Sequence, residues 1–267
     1  MASPCALKMG PLTNAACPKN RYYLIQFLIM WLSLVPAVVV ELYYFGLLFD
    51  WNPLKFNFIQ ISIDFFNLMK IFGDILLWAL FPFNLLFVFY LYTFCSIKVA
   101  KFFLFCETKL YPPREGVFPR DYKDKDFLHW HARRVIKKFP CWLVQLTPFP
   151  WMKRSYIYNQ LGARVGKNVG IMDSWVDLEF VTIEDDVSIG RGAAITSHYF
   201  TSKALILKSI IVKKDSLVGD KVRVLPGATI GEQAVLISRS VIKLGEQVPS
   251  ESIFAGNPAE QVEIEET

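Results

Sequence analysis

The fold of this chain is decided by VKKDSLVGDKVRVLPGATI, residues 212–230, in which an aliphatic residue recurs at every sixth position. The same interval extends over residues 165–248, with one lapse at Asp177 and a slip between Ile195 and Val212. The aliphatic positions are Val165, Ile171, Ile183, Ile189, Ile195, Val212, Val218, Val224, Ile230, Leu236, Ile242 and Val248. This interval fits neither the 3.6-residue turn of an α-helix nor the two-residue alternation of a single strand.

A second set of positions, four places after the aliphatic ones, mostly holds small or β-branched residues. These are Val169, Val181, Val187, Ala193, Ser216, Val222, Ala228, Ala234 and Ser240. Trp175 and Tyr199 are the bulky exceptions. The pattern is typical of a parallel β-helix, in which each hexapeptide forms one flat side and three form a coil. Both sets are expected to point inward, and glycine directly after the aliphatic position is expected to supply backbone freedom at Gly166, Gly190, Gly219 and Gly231.

Composition separates a membrane part from a soluble part. Of the 267 residues, 53% are hydrophobic and 23 are Phe, and the apolar excess is concentrated before Phe105. A net charge of +5 is too small to indicate a nucleic-acid partner and is better explained by basic residues that flank membrane segments. The five cysteines are scattered without a CxxC pair, which favours neither a disulfide framework nor a zinc knuckle and suits a reducing, cytosol-facing environment.

Two apolar stretches in the first hundred residues are long enough to cross a bilayer. Residues 22–49 contain one charged side chain, Glu41, and a proline, Pro36, that is expected to kink the helix. Residues 71–95 form the second predicted span. Between them, residues 56–69 are either the lead-in to the second helix or a helix that lies at the interface.

The loop charges predict the orientation of this pair. Basic residues precede the first span and follow the second, namely Lys8, Lys19, Arg21, Lys98 and Lys101, whereas the loop between the spans is neutral. The positive-inside rule therefore places both ends in the cytoplasm, in an integral membrane protein. Glu41 is either a functional intramembrane carboxylate or, as we prefer, a polar residue near the kink or the outer headgroups.

A polar linker over residues 111–126 leads into an aromatic and basic stretch over residues 127–158. Such a segment beside a membrane span is expected to lie on the anionic cytoplasmic leaflet. His129 and His131 could form a metal site, but we favour a surface or interfacial pair, because no third ligand is nearby in sequence. The predicted organisation is a cytoplasmic tail (1–21), transmembrane helices (22–104), a linker with a juxtamembrane amphipathic segment (105–160) and the β-helix (161–267).

Four motifs give the β-helix a family resemblance. They are Leu161-Gly-Ala-Arg-Val-Gly-Lys-Asn-Val, Leu225-Pro-Gly-Ala-Thr-Ile-Gly, Ser240-Val-Ile-Lys and Gly256-Asn-Pro-Ala. With them the chain resembles the hexapeptide-repeat acyltransferases over residues 161–262. The resemblance implies an all-β, left-handed parallel β-helix, a trimer, and transfer of an acetyl or other acyl group from a CoA thioester, with no permanently bound cofactor.

A closer resemblance includes the upstream region. The spans, the Glu115-Gly-Val-Phe-Pro segment and the aromatic-basic stretch precede the repeats, which then contain Asp177-Leu-Glu-Phe-Val-Thr-Ile-Glu-Asp-Asp, Ser197-His-Tyr-Phe and Gly245-Glu-Gln-Val-Pro. This order is similar to the membrane-bound terminal module of poly-lysine-synthetase-like peptide synthetases. Those enzymes form amide bonds on aminoacyl thioesters, and the sequence here contains one such module.

His198 is the predicted catalytic residue. It is the one histidine of the repeat region and lies where the interval slips, since Ile195 and Val212 are seventeen positions apart, one short of a full coil. The family resemblance implies a general base there, which takes a proton from an acceptor amine or hydroxyl as that atom attacks the thioester, and histidine suits this at neutral pH. The predicted groups that orient the imidazole or bind the acceptor, about one coil earlier, are Asp173, Asp177 and Glu179.

The resemblance also implies where a CoA donor lies, along the later coils at Asp220, Ser238, Lys243 and Leu244. Asp220 replaces a small neutral residue and Leu244 stands where a lysine is usual, so a donor carried on another thioester stays an alternative. A γ-class carbonic anhydrase is excluded, because it needs three zinc-binding histidines. The membrane half leaves no room for a nucleotide-binding domain. The non-enzyme alternative is a membrane-tethered β-helix scaffold or oligomerisation module.

Overall fold

The structure is a computed structural model that describes residues 19–48, 64–146 and 157–263. Two long helices open it: α1 spans Lys19–Leu48 and contains Pro36, and α2 spans Asp64–Leu110 and contains Pro82. Part of the predicted interfacial stretch, residues 56–63, lies outside the described residues. The second helix continues well past the predicted end of the apolar span at residue 95, because residues 96–110 contain no glycine or proline to end it.

Both helices are long and apolar enough to cross a membrane, over Tyr23–Leu47 and Ile75–Leu110. They pack against each other and are tied by polar contacts. Tyr44 Oη donates to the Leu77 carbonyl over 2.5 Å, and Asn84 Nδ2 donates to Glu41 Oε2 over 3.1 Å. Glu41 therefore links the two helices. A charged side chain on an apolar helix is costly unless it has a polar partner, and Asn84 is that partner here.

A short segment joins the helices to the β-helix. The predicted linker contains strand β1 (Gly116–Pro119), and α3 spans Lys125–Gln145. The Asp124 side chain begins α3 by accepting a hydrogen bond from the Phe127 N–H at 2.9 Å, a typical N-cap. A short α4 (Tyr158–Leu161) then leads into the repeats and ends at Gly162.

Most of the later strands form the three faces of a β-helix whose neighbouring coils pair in parallel. One face orders as β16-β13-β10-β5-β2, the second as β18-β17-β14-β11-β6-β3 with an antiparallel last strand, and the third as β15-β12-β7-β4. The strands are β2 (Arg164–Val165), β3 (Gly170–Ile171), β4 (Trp175–Val176), β5 (Val181–Ile183), β6 (Ser188–Ile189), β7 (Ala194–Ile195), β8 (His198–Phe200), β9 (Ala204–Leu207), β10 (Ile210–Val212), β11 (Leu217–Val218), β12 (Arg223–Val224), β13 (Thr229–Ile230), β14 (Val235–Leu236), β15 (Val241–Ile242), β16 (Gln247–Val248), β17 (Ile253–Gly256) and β18 (Ala259–Gln261).

The aliphatic positions read from the sequence form the core, with Val165 at its partly buried edge. Each stacks on its equivalent one coil away, as Ile183, Val212 and Ile230 do on one face. The small residues from Val181 to Ser240 are buried beside them, while Trp175 and Tyr199 face outward. The predicted parallel β-helix is confirmed by this strand pairing.

The slip after Ile195 has a different structure from the one predicted. Ile195 and Val212 lie on consecutive faces of the helix, because Ile195 pairs with Val224 and Val212 pairs with Ile183 and Ile230. The interval is therefore one side of a coil with an inserted hairpin, β8–β9, and the expectation of a nearly complete coil was wrong. The hairpin pairs antiparallel with β1, so the predicted linker supplies its third strand.

The glycines after the aliphatic positions allow neighbouring coils to pack closely. The prediction that they supply backbone freedom was therefore wrong about the reason for glycine there. Gly166, Gly190, Gly219 and Gly231 are absent from the residues with positive φ. A Cβ at Gly231 would lie 2.4 Å from the Ser250 backbone nitrogen, and one at Gly219 would lie 2.6 Å from the Leu236 carbonyl oxygen. No side chain fits there, because the backbone of the next coil already occupies the space.

Candidate active site

His198 is placed by the inserted hairpin. It begins β8, where successive side chains alternate between the two faces of the strand, so His198 and Phe200 share a face and Tyr199 takes the other. These two rings contact Trp130 of α3, at ring-centroid distances of 5.4 Å for His198 and 5.6 Å for Phe200. Behind them Phe127 and Trp130 pack on the buried Leu205 and Leu207 of β9. The hairpin therefore holds the imidazole against α3.

Asp177 reaches the histidine because the six-residue interval lapses there. On β4 the inward position is taken by Val176, which pairs with Ile195, so Asp177 falls just beyond the strand end. Its Oδ2 lies 2.5 Å from His198 Nδ1 and also accepts hydrogen bonds from the Ser197 backbone N–H at 2.9 Å and hydroxyl at 3.2 Å. The lapse in one coil and the insertion in the next thus bring an acid and an imidazole together.

The surroundings of Asp177 favour its ionised form. Burial, the largest single effect, raises the pKa of Asp177, but it is outweighed by the hydrogen bond and charge of His198 together with the Trp175 hydrogen bond and the charge of Arg134. The net result is a pKa below the ordinary value. The Trp175 indole N–H adds a hydrogen bond to Oδ1 at 3.2 Å. Asp177 is therefore a carboxylate at neutral pH, and it can only accept the hydrogen at Nδ1.

The second ring nitrogen of His198 faces a guanidinium. Nη1 of Arg134 lies 3.4 Å from Nε2, and the Arg134 guanidinium stacks over the Trp130 ring at 4.9 Å. Arginine can only donate and carboxylate can only accept, so both neighbours favour the same neutral tautomer, with the proton on Nδ1 and the lone pair on Nε2. That tautomer is the one a general base requires.

Glu179, a predicted acceptor or orienting group, faces α3 instead. Its carboxylate pairs with Arg133 at 2.8 Å and with Lys137 at 3.5 Å, and Lys137 also donates to the Leu178 carbonyl. Burial lowers the pKa of Lys137, and the charge of Glu179 opposes that shift. These pairs fix α3 to the first coil, so two basic residues expected at the lipid surface point into the protein.

Asp173, the third predicted acid, is exposed, and its backbone carbonyl accepts from the Gly192 N–H. The two histidines of α3 diverge as well: His129 Nδ1 lies 2.7 Å from Glu107 Oε1 and stacks on Tyr111, whereas His131 contacts Tyr122 and Phe127. Within residues 19–48, 64–146 and 157–263, no group of three metal-ligating side chains occurs.

The predicted donor residues lie at two different corners of the β-helix. Asp220 and Ser238 share one corner, where the Asp220 carboxylate accepts from the Arg191 N–H at 2.7 Å and the Ser238 hydroxyl accepts from the Asp220 N–H at 3.1 Å. Lys243 and Leu244 are exposed at the next corner, below the inserted hairpin. Asp220 thus satisfies a backbone donor of the neighbouring coil, which accounts for a carboxylate at this position.

A cleft of about 580 Å³ separates α3 from the first coils, and His198, Asp177 and Arg134 line it. Three tryptophan side chains also line it, namely Trp130, Trp142 and Trp175. Cys141 borders the cleft too, but burial raises the pKa of its thiol to about 12, which excludes a thiolate nucleophile at neutral pH.

Arg134 and Trp130 are the site residues that sequence reasoning missed. Both were included in the aromatic-basic stretch assigned to the membrane surface. A signal was present in the i, i+3, i+4, i+7 spacing, which places four residues on one face of a helix: Trp130, Arg133, Arg134 and Lys137. The spacing alone did not indicate which face meets the β-helix.

No family model matches the chain. Three relatives do. The carnitine operon protein CaiE of Proteus sp. is 30% identical over 108 residues, 39% of this chain and 48% of that protein. The delta-poly-L-ornithine synthetase of Acinetobacter baumannii is 28% identical over 137 residues, 51% of this chain and 10% of that protein. The putative colanic acid biosynthesis acetyltransferase WcaF of Escherichia coli is 28% identical over 168 residues, 49% of this chain and 91% of that protein.

Among solved structures, a hexapeptide-repeat acetyltransferase of Vibrio cholerae complexed with acetyl coenzyme A is similar with a TM-score of 0.44 and 18% identity. The match covers 54% of this chain and 91% of that one. The chain spans about half the length of CaiE and a tenth of the ornithine synthetase. The resemblance to hexapeptide-repeat acyltransferases, with a link to poly-amino-acid synthetases, is confirmed by these relatives.

Proposed function

We propose that this protein is a membrane-anchored acyltransferase that moves an acyl group from a thioester to an amine or hydroxyl, with His198 as general base. The observation that carries the proposal is the Asp177–His198 pair, in which the 2.5 Å contact at Nδ1 leaves Nε2 as the basic atom in the cleft. Relatives described as acetyltransferases support the reaction class.

The chemistry follows from that tautomer. The acceptor nitrogen or oxygen attacks the thioester carbonyl, a C–N or C–O bond forms, and Nε2 takes the proton that the nucleophile loses. Collapse of the tetrahedral intermediate breaks the C–S bond, and the imidazolium returns the proton to the leaving thiolate. Asp177 stabilises the imidazolium in between, since its carboxylate remains at Nδ1 throughout.

Acetyl-CoA is the proposed donor, supported by its presence in a structural neighbour, and a protein- or lipid-tethered thioester is the second choice. The proposed donor positions remain Asp220, Ser238, Lys243 and Leu244. The bilayer is the proposed setting, with both chain ends and the β-helix in the cytoplasm, and the two apolar helices support it. A left-handed coil and a trimer are proposed by analogy with the family.

The test is mass spectrometry of the full chain in detergent micelles, incubated with acetyl-CoA and an extract of its own membranes and metabolites. We expect an acetylated extract component and free CoA thiol. His198→Ala should slow transfer by roughly 10²- to 10⁴-fold, the usual contribution of a general base. His129→Ala is the matched control, because that histidine pairs with Glu107 outside the cleft.

Unchanged transfer in His198→Ala would contradict the role of the base. If no extract component is acetylated, acetyl-CoA is not the donor, and the same assay with aminoacyl thioesters decides between the second donor and a non-catalytic scaffold. Transfer by neither donor would favour the scaffold.

A further inference from the structure

Arg133 and Arg134 are neighbours on α3, but among the described residues only Arg133 forms an ion pair. The Arg133 side chain is 3% exposed and pairs with Glu179 at 2.8 Å. Arg134 is half-buried at the cleft, and its described contacts are Nε2 of His198 and the face of Trp130. Among the described residues no carboxylate forms an ion pair with Arg134. A guanidinium in this setting retains unused donors.

The charge of Arg134 helps to lower the pKa of Asp177, but neither carboxylate of the cleft forms an ion pair with Arg134 among the described residues. Asp177 is committed to His198 and Ser197, and Glu179 is committed to Arg133 and Lys137. A partly buried cation is costly unless it is paired, so an anion that enters the cleft is favoured at this point. Arginine presents its donors in a planar fork that matches a phosphate or carboxylate.

Resting on the proposed function, we propose that Arg134 is an anion subsite, and that the acceptor carries a phosphate or carboxylate next to its reactive amine or hydroxyl. The acceptor's nucleophile must reach Nε2, which lies 3.4 Å from the guanidinium. The anionic group and the nucleophilic atom of the acceptor must therefore lie close together in the same molecule, only a few bonds apart. The donor does not supply this anion, because the pantetheine arm beside a CoA thioester is uncharged.

The subsite also links acceptor binding to activation of the base. In the tautomer with the proton on Nδ1, the Nε2 lone pair faces the guanidinium, whose Nη1 lies 3.4 Å away. An acceptor anion forms charge-assisted hydrogen bonds with Arg134, which are stronger than its bond to a neutral imidazole. The guanidinium then turns to the anion, and the lone pair becomes available for the proton of the nucleophile.

The remainder of the cleft fits an amphipathic acceptor. Trp142 and Trp175 line it and are each more than half exposed, at 54%. The same helix contacts α1, where Gln26 donates to the Val135 carbonyl at 3.3 Å. A phosphorylated amine could therefore arrive as a lipid headgroup or as a soluble compound, and both present the same chemistry to Arg134.

The first arm of the test measures binding by isothermal titration calorimetry of the full chain in micelles. O-phosphoethanolamine and ethanolamine are the probes, since they differ only in the phosphate. We expect the wild type to bind the phosphorylated amine at least about tenfold more tightly, the usual value of a charge-assisted contact. Arg134→Gln should abolish this preference, and Arg134→Lys should retain part of it. Lys214→Gln, which removes one positive charge at a distant corner, should change nothing.

Equal affinity of the wild type for both probes, or an unchanged preference in Arg134→Gln, would overturn the subsite. The second arm measures transfer from acetyl-CoA to the same two amines. We expect Arg134→Gln to raise KM for O-phosphoethanolamine by about tenfold or more, and to lower kcat/KM for this amine more than kcat/KM for ethanolamine. An equal loss for both amines would instead assign Arg134 to the transition-state oxyanion and contradict an acceptor subsite.

The third arm separates the two sources with vesicles of phosphatidylethanolamine, and vesicles of phosphatidylcholine as the control without an amine. Acetylation of the lipid alone assigns a headgroup, and acetylation of the soluble compound alone assigns a free phosphorylated amine. Binding that depends on the phosphate and on Arg134, without acyl transfer from acetyl-CoA or from aminoacyl thioesters, would keep the subsite and contradict the proposed function. The two proposals can therefore fail separately.

Discussion

The late coils of the β-helix, residues 212–254, and its early coils, residues 165–195, share one six-residue interval but use polar side chains differently. Asp220 in the regular late coils binds a backbone N–H of the coil beside it. Asp177 in the early coils stands where the interval lapses and binds the imidazole of His198. The same residue type therefore stabilises a turn in one region and orients a functional group in the other, because register decides what its carboxylate meets.

A second difference is what covers each region. The first coil packs against α3 through Glu179 and the buried Arg133 and Lys137. In the late coils, polar side chains form hydrogen bonds to backbone groups within the coils, as the Ser240 and Ser252 hydroxyls do. The regular region thus supplies a rigid support, and the interrupted region supplies the cleft. Three substitutions test this division, in order of expected effect.

Glu179→Gln should have the largest effect on stability. It leaves the 3%-exposed Arg133 without its counter-charge, which costs about 3 kcal/mol in comparable buried pairs. Thermal unfolding of the full chain in micelles measures the loss. Asp173→Asn removes an exposed carboxylate of the same coil and should stay within about 0.5 kcal/mol. If the two variants melt alike, the docking of α3 does not depend on this ion pair.

Gly231→Ala should destabilise the late coils by roughly 1–3 kcal/mol, because the added methyl meets the Ser250 nitrogen at 2.4 Å. Gly245→Ala is the matched variant: its φ is +74° and its Cβ would have nothing within 4 Å, so it should cost only about 1 kcal/mol of backbone strain. Unfolding midpoints compare them. A larger cost at Gly245 would show that backbone freedom outweighs close packing between the coils.

Asp177→Asn should have the smallest effect of the three substitutions, and the effect should be on how folding stability depends on pH in the acidic range. The pKa of Asp177 is lowered in the folded protein from an ordinary 3.8, so the unfolded chain binds the proton more readily. Its contribution is fully present above the ordinary pKa and is lost as pH falls through the lowered folded pKa. The melting temperature of the variant should therefore depend less on pH below about pH 4 than that of the wild type.

Asp173→Asn is the control for loss of a carboxylate in the same coil. Parallel pH dependence of the wild type and Asp177→Asn would contradict a charged Asp177 bound to His198. The comparison does not depend on any activity, so it tests the geometry of the pair directly.

Much of the fold could be predicted, because a β-helix repeats one local pattern. Every coil places its aliphatic residue over the previous one, so the position of Ile230 or Leu236 in the core follows from spacing alone. The sequence also indicated that His198 lies at the irregular point of the repeats, where the structure places it, although the seventeen-position interval contains a hairpin rather than a shortened coil; its catalytic role stays a prediction. Of the three acids predicted beside it, the structure brings only Asp177 into contact with the ring.

The sequence by itself determined the β-helix, its two irregular points and the two apolar helices, since each leaves a periodic or compositional trace. Only the tertiary structure decided that α3 packs against the first coil, that Glu179 pairs with Arg133, and that Arg134 lies at Nε2 of His198. Those contacts join residues 46 and 64 positions apart. A contact between separate elements depends on how their surfaces pack, and packing over such distances imposes no regular spacing on the chain.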